Sequence, residues 1–308
     1  MRTPIIIIAV MVLIVGSAFV IRFVFDKKPL DEKITLSKSE SSDDDKKDKK
    51  QNDEKSAKSV NLINQWNVPE ILKEISAIDY IDESRFACVQ DELGKIFIFN
   101  TETEKIEKEI PFAPAGDYEG LALNGETAYV LRADGRIFEV ANFNSEKPEV
   151  KEYKTHLTQK QDTEGLALDK SNNRLLISIK GEEPGTDAYK GIYAFDLSTK
   201  KMAKEPVFKI DLENDLFAET KSGKKKKGSV MDPSELAINP ETGEIYVIDG
   251  GKPKLLIMDQ SGKMLSLFEL KDPAFSQPEG MSFSPEGKLF ISNEGSKKKG
   301  NILEIEVP

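Results

Sequence analysis

The chain has 308 residues, 38% of them apolar and 32% charged, with a net charge of −10, which is polar for a globular protein of one large domain or two small ones. The charge is uneven, net +2 over residues 1–60 and net −12 over residues 61–308, and so acidic a folded part excludes general nucleic-acid binding, which needs cations against phosphates. Cys88 is the single cysteine and His156 the single histidine, which excludes an intrachain disulfide and argues against a His-rich metal site or a Ser-His pair.

Residues 4–21 are an uncharged apolar run, preceded by Arg2, interrupted by Arg22 and closed by Asp26, Lys27 and Lys28. Its length is at the lower edge of a membrane-spanning helix. It predicts a transmembrane signal-anchor within residues 1–28; the competing reading is a cleaved signal peptide. No cysteine follows that would carry a lipoprotein anchor, and Arg2 against Arg22, Lys27 and Lys28 leaves the orientation open. Residues 29–60 are almost wholly Ser, Asp, Lys, Glu, Asn and Gln from Ser37 to Lys58, too poor in apolar surface to fold alone. They predict a disordered linker that sets the rest about 30 Å from the membrane.

From residue 61 the pattern becomes short β-type runs, and one phrase recurs: a glutamate opening an apolar strand. It stands as Glu74-Ile75-Ser76-Ala77, Glu119-Gly120-Leu121-Ala122, Glu164-Gly165-Leu166-Ala167, Glu235-Leu236-Ala237-Ile238 and Glu279-Gly280-Met281-Ser282, at intervals of 45, 45, 71 and 44 residues. A period near 45 residues is the length of a four-stranded propeller blade. Turn signals such as Asn124-Gly125 and Asp134-Gly135 separate the strands within a repeat. The fifth repeat lacks its outer strand, and Leu62–Val68 supplies the missing segment at the other end of the domain. The surplus of the 71-residue repeat falls in two loops, 180–190 and 213–234, too short for another blade. The prediction is an all-β, five-bladed β-propeller over residues 61–308, closed by its N-terminal strand.

In a propeller the inner strands start at one mouth of the central channel, so Glu74, Glu119, Glu164, Glu235 and Glu279 are expected to converge there. Asp91, Glu92, Asp134, Glu182, Glu183, Asp249 and Glu294, from the turns between second and third strands, fall on the same face. Carboxylates around one axis repel unless cations or protons compensate. Oxygen ligands suit a hard cation, Ca²⁺ above all. The plainer reading is that each glutamate accepts hydrogen bonds from a neighbouring blade and fixes the packing.

The Glu-Gly-Leu-Ala phrase, the third strands Gly94-Lys95-Ile96-Phe97 and Gly135-Arg136-Ile137-Phe138, and Gln277-Pro278-Glu279-Gly280-Met281-Ser282-Phe283 carry a family likeness. Together they resemble the SdiA-regulated family of bacterial exported proteins, over about residues 62–308. The resemblance implies a five-bladed propeller with a calcium site in its channel, an N-terminal membrane or export segment, and no settled activity. Carried over by position, Glu74, Glu119, Glu164, Glu235 and Glu279 are the metal-ligand candidates; Glu74 and Glu235 depart from the pattern by lacking the following glycine.

Two functional readings stand. One is a calcium-binding propeller tethered at the cell membrane by a single pass, with the propeller exported, acting as a binding or sensing module of the envelope; cleavage of the segment would make it secreted. The other is a calcium-dependent hydrolase of lactones or phosphate esters with its site at the channel mouth. Lys224–Lys227 and Lys297–Lys299 are either a basic rim that attracts an anionic small molecule or ordinary solubilising charge.

Overall fold

The structure, a computed structural model, describes residues 59–218, 230–295 and 298–308. The anchor expected at 1–28 and nearly all of the linker expected at 29–60 lie outside the described residues. Among the described residues no helix is long and apolar enough to cross a membrane.

Alternating apolar residues and tight turns make these segments strands, and the strands form five antiparallel sheets. The first strand, β1 (Asn61–Asn67), stands apart from the first blade. Blade one is β2 (Ile75–Asp82), β3 (Arg85–Gln90), β4 (Lys95–Asn100) and β5 (Lys105–Pro111). Blade two is β6 (Tyr118–Asn124), β7 (Thr127–Arg132), β8 (Ile137–Ala141) and β9 (Glu149–Tyr153). Blade three is β10 (Thr163–Asp169), β11 (Arg174–Ile179) and β12 (Tyr189–Asp196), with its outer position shared by β13 (Lys201–Met202) and β14 (Phe208–Asp211), both paired to β12. Blade four is β15 (Pro233–Ile238), β16 (Ile245–Asp249), β17 (Lys254–Met258) and β18 (Met264–Glu269). Blade five is β19 (Pro278–Phe283), β20 (Leu289–Asn293) and β21 (Asn301–Glu306), completed by β1. The register of that closure runs from Asn61 opposite Glu306 to Asn67 opposite Asn301. The expected five-bladed propeller, closed by its N-terminal strand, is the observed fold.

The core is five wedges rather than one mass, because each sheet buries both faces against its neighbours. One wedge joins Ala77 and Val89 of blade one to Leu121 and Val130 of blade two. The ring closes where Ile78, Phe86 and Phe97 of blade one meet Phe290 and Ile302 of blade five. Trp66 of β1 leans on Phe290 at 6.4 Å between ring centroids and is the half-buried member of an otherwise exposed strand.

Near the axis the inner strands approach very closely. A Cβ on Gly120 would lie 2.5 Å from Leu166 Cβ in blade three. One on Gly165 would lie 2.6 Å from Leu236 Cδ2 in blade four, and one on Gly280 would lie 2.8 Å from the Ile78 amide nitrogen in blade one. The glycine of the recurring phrase is thus required by contact with the next blade's inner strand.

Two outcomes follow. Gly120→Ala should lower unfolding stability by about 2 kcal/mol through overpacking, read from urea melts; an unchanged midpoint would remove the packing explanation. Deleting residues 1–67 leaves β21 as an open edge, and light scattering should show self-association together with a lower melting temperature. A monomer as stable as the full chain would contradict the closure.

Candidate functional site at the channel mouth

The ladder between first and second strands slips near the start of every blade. The slip falls at Ser76 in blade one, Glu119 in blade two, Glu164 and Gly165 in blade three, Ser234 in blade four and Glu279 in blade five. A slip of this kind leaves a residue unpaired and re-aims its side chain. Glu119, Glu164 and Glu279 therefore hold equivalent places, with Ser76 and Ser234 in the other two blades.

The five expected glutamates do not form one ring. Glu74 lies before β2 and is exposed. Glu235 pairs with Ile248, as Gly120 does with Leu131 and Gly280 with Ser292, so it takes the glycine's place. It is fully buried, and its Oε1 accepts from the backbone N–H of Leu166 at 2.6 Å and of Leu236 at 2.8 Å. Its Oε2 has no hydrogen-bond partner. Glu235 thus matches the blade-packing reading at its Oε1: it satisfies an amide of the neighbouring blade. The shift was legible. Pro240 stands five positions after Glu235, whereas Pro285 stands six after Glu279 in the matching phrase.

Glu119, Glu164 and Glu279 share a positive charge that the sequence reading missed. Lys180 Nζ donates to Glu164 Oε1 at 3.0 Å, and its ammonium also feels the charges of Glu279 and Glu119. Burial and these carboxylates act on Lys180 in opposite senses, and the carboxylates win, holding it firmly protonated. The loop that carries Lys180 is tied down by the nearly buried Lys190, whose Nζ donates to the carbonyls of Lys180 and Gly181. No spacing rule marks this lysine, because its part depends on where the loop after β11 returns.

Among the described residues this one ammonium does not neutralise the group. Burial first, then Glu164 and Asp117, push the Glu119 carboxyl far above the usual carboxylate range. Burial also raises Glu164, against the pull of Lys180. Glu279 is pushed up to about 7, again chiefly by burial and opposed by Lys180. Beside these three lies a second acidic group. Burial and the charge of Glu74 raise Asp91 to about 6, and the same causes raise Glu294. Gln277 joins the two groups, its Nε2 donating to Glu279 Oε1 at 3.0 Å and to Glu294. At neutral pH the mouth therefore holds protons on buried carboxyls.

The donor chemistry fits a hard cation: oxygen ligands with more negative charge than one lysine balances. The spacing is not that of a ready-made cage, since among the described residues no three carboxylate, imidazole or thiol side chains stand close enough to hold one ion. Beside the mouth is a polar cavity of about 780 Å³, with Asp162, Gly181, Glu182, Lys190 and Asp232 among its walls. Lys298 and Lys299 are exposed, whereas Lys224–Lys227 and Lys297 lie outside the described residues. His156 is exposed and packs edge-on to Tyr193 at 5.7 Å, and Cys88 is fully buried, its thiol pushed up by burial.

The chain is similar to the glutaminyl cyclase of Myxococcus xanthus, with 14% identity, a TM-score of 0.55, and coverage of 81% of this chain and 97% of the other. It is also similar to the virginiamycin B lyase of Staphylococcus aureus, with 16% identity, a TM-score of 0.43, and coverage of 80% of this chain and 74% of the other. At 14% identity the likeness to the cyclase speaks for the fold alone. No curated protein matches the chain. The SdiA-regulated family profile matches residues 55–297, nearly the whole propeller, and the chain belongs to that family.

Proposed function

We propose that this propeller is a divalent-cation-binding module, with Ca²⁺ as its ion, held at the cell envelope by the apolar segment of residues 4–21. The observation that carries the reading is the set of three glutamates, Glu164 buried and Glu119 and Glu279 half-buried, at one register position with a single shared lysine among the described residues. Burial keeps protons on carboxyls that would be ionised in water. A divalent cation supplies the charge that those protons now supply, and binding exchanges one for the other. Glu119, Glu164 and Glu279 would have to turn toward one another from their present spacing to hold the ion; Glu74, with Asp91 and Glu294, would draw cations toward it. A basic rim at Lys298 and Lys299 would then bring anionic small molecules to a loaded mouth.

The cavity of about 780 Å³ beside the mouth favours a second reading, a metal-dependent hydrolase of lactones or phosphate esters, because an ester would need room next to the ion. Calcium-dependent turnover of p-nitrophenyl phosphate or a short-chain lactone by the full-length protein would select it. Binding without turnover selects the sensing module.

Calorimetry on the full-length protein should show Ca²⁺ binding that Glu119→Gln with Glu164→Gln weakens at least tenfold. Equal affinity in the double variant would remove these residues from the site. The raised carboxyls also set a pH dependence of stability. Their folded pKa values exceed the unfolded ones, so the folded state binds extra protons. The stability they contribute is complete below about pH 4.5 and is lost as pH rises through the folded values, about 6 for Asp91 and about 7 for Glu279. In chelator, the melting temperature should therefore fall by about 5 °C between pH 5 and pH 8, and Glu119→Gln should flatten the slope. A melting temperature that rises over that range would contradict the protonated mouth.

A further inference from the structure

The channel has a second end, where the inner strands finish, and its chemistry differs from that of the mouth. There a cavity of about 460 Å³ is walled by all five inner strands. Each blade contributes one half-buried apolar side chain at the same register: Tyr80, Leu123, Leu168, Ile238 and Phe283. The volume is that of a small-molecule pocket, about 300–1,000 Å³, and its walls mix these apolar side chains with polar ones such as Asp79, Asp169, Lys170 and Ser282. Asp169 at this end is taken up by Arg174 Nε at 2.8 Å and by Asn172.

Asp79 is the carboxylate left for the cavity. It lies deep in the protein yet keeps surface toward the cavity that it lines. Its Oδ1 accepts from the Tyr80 N–H at 2.8 Å and the Ser282 hydroxyl at 2.6 Å, and its Oδ2 accepts from the Leu123 N–H at 2.6 Å. A carboxylate offers about four acceptor positions, two on each oxygen, so one position remains on Oδ2. Among the described residues no cation stands within ion-pair distance of it; the charge of Lys170, on the cavity wall, acts on it from farther away. Burial pushes the Asp79 carboxyl above the usual carboxylate range, against those three hydrogen bonds; an ammonium at the open Oδ2 position would supply the charge that keeps it ionised, so the place favours a ligand that brings one positive donor.

We propose that this far end of the channel is a binding site for a small primary amine with an apolar body, the ammonium donating to Asp79 Oδ2 and the body lying against Leu123, Leu168, Ile238 and Phe283. The site is separate from the glutamate mouth and does not depend on a bound metal.

The test is methyl NMR on the full-length protein with 2-phenylethylamine as probe and 2-phenylethanol as its neutral counterpart. Saturable shifts should appear at the Leu123, Leu168 and Ile238 methyls. The alcohol should bind at least tenfold more weakly than the amine. Asp79→Asn should weaken amine binding at least tenfold, and Leu123→Trp, which fills the cavity from a half-buried position, should abolish it. Leu123→Trp keeps the test decisive if Asp79→Asn fails to fold. No saturable shift, equal binding of amine and alcohol, or unchanged binding in Leu123→Trp would each overturn the proposal.

Discussion

The contact on which the propeller depends is the approach of one inner strand to the next at Gly120, Gly165 and Gly280. A methyl group at any of the three would collide with the following blade. That closeness fixes the radius of the channel, and a narrow channel means that whatever side chain precedes the glycine is drawn out of water. The phrase Glu-Gly is therefore one unit in physical terms: the glycine permits the contact, and the contact buries the glutamate. Blade four shows the alternative. There Glu235 stands where the glycine would be, and its Oε1 caps backbone amides that the strand edges leave unpaired.

Burial of several carboxylates at one place has a cost that the chain offsets in two ways. Lys180 brings one ammonium, positioned by Lys190 through the carbonyls of its own loop. Protons bring the rest, held on Glu119, Glu164 and Glu279 by desolvation. The proposed exchange of protons for a cation at the mouth rests on this balance of charge. At the opposite end Asp79 meets the same desolvation but is fixed by three hydrogen-bond donors, and its charge acts on the buried Glu235. One channel thus has two ends of different chemistry.

The five-bladed fold was legible because it is written in local signals. The period near 45 residues, the Asn124-Gly125 turn and the missing outer strand of the last repeat all act through neighbouring residues or a simple count. The equivalent places of Glu119, Glu164 and Glu279 in their blades were legible for the same reason. Glu74 and Glu235 were misplaced by a reading that aligned the glutamates instead of the strands; the one-residue difference between Glu235–Pro240 and Glu279–Pro285 holds the correction. Lys180 and Asp79 could not be found in this way. Each gains its partners across blades, from Glu164 and from Leu123 and Ser282, and such contacts have no fixed spacing along the chain.

The central claim is that the mouth holds protons which a divalent cation replaces. It is tested most directly by counting protons released on Ca²⁺ binding at pH 7, from calorimetry of the full-length protein in buffers of different ionisation enthalpy. The account predicts release of more than one proton per ion, from Glu119, Glu164 and in part Glu279. Calcium binding with no proton release would contradict it.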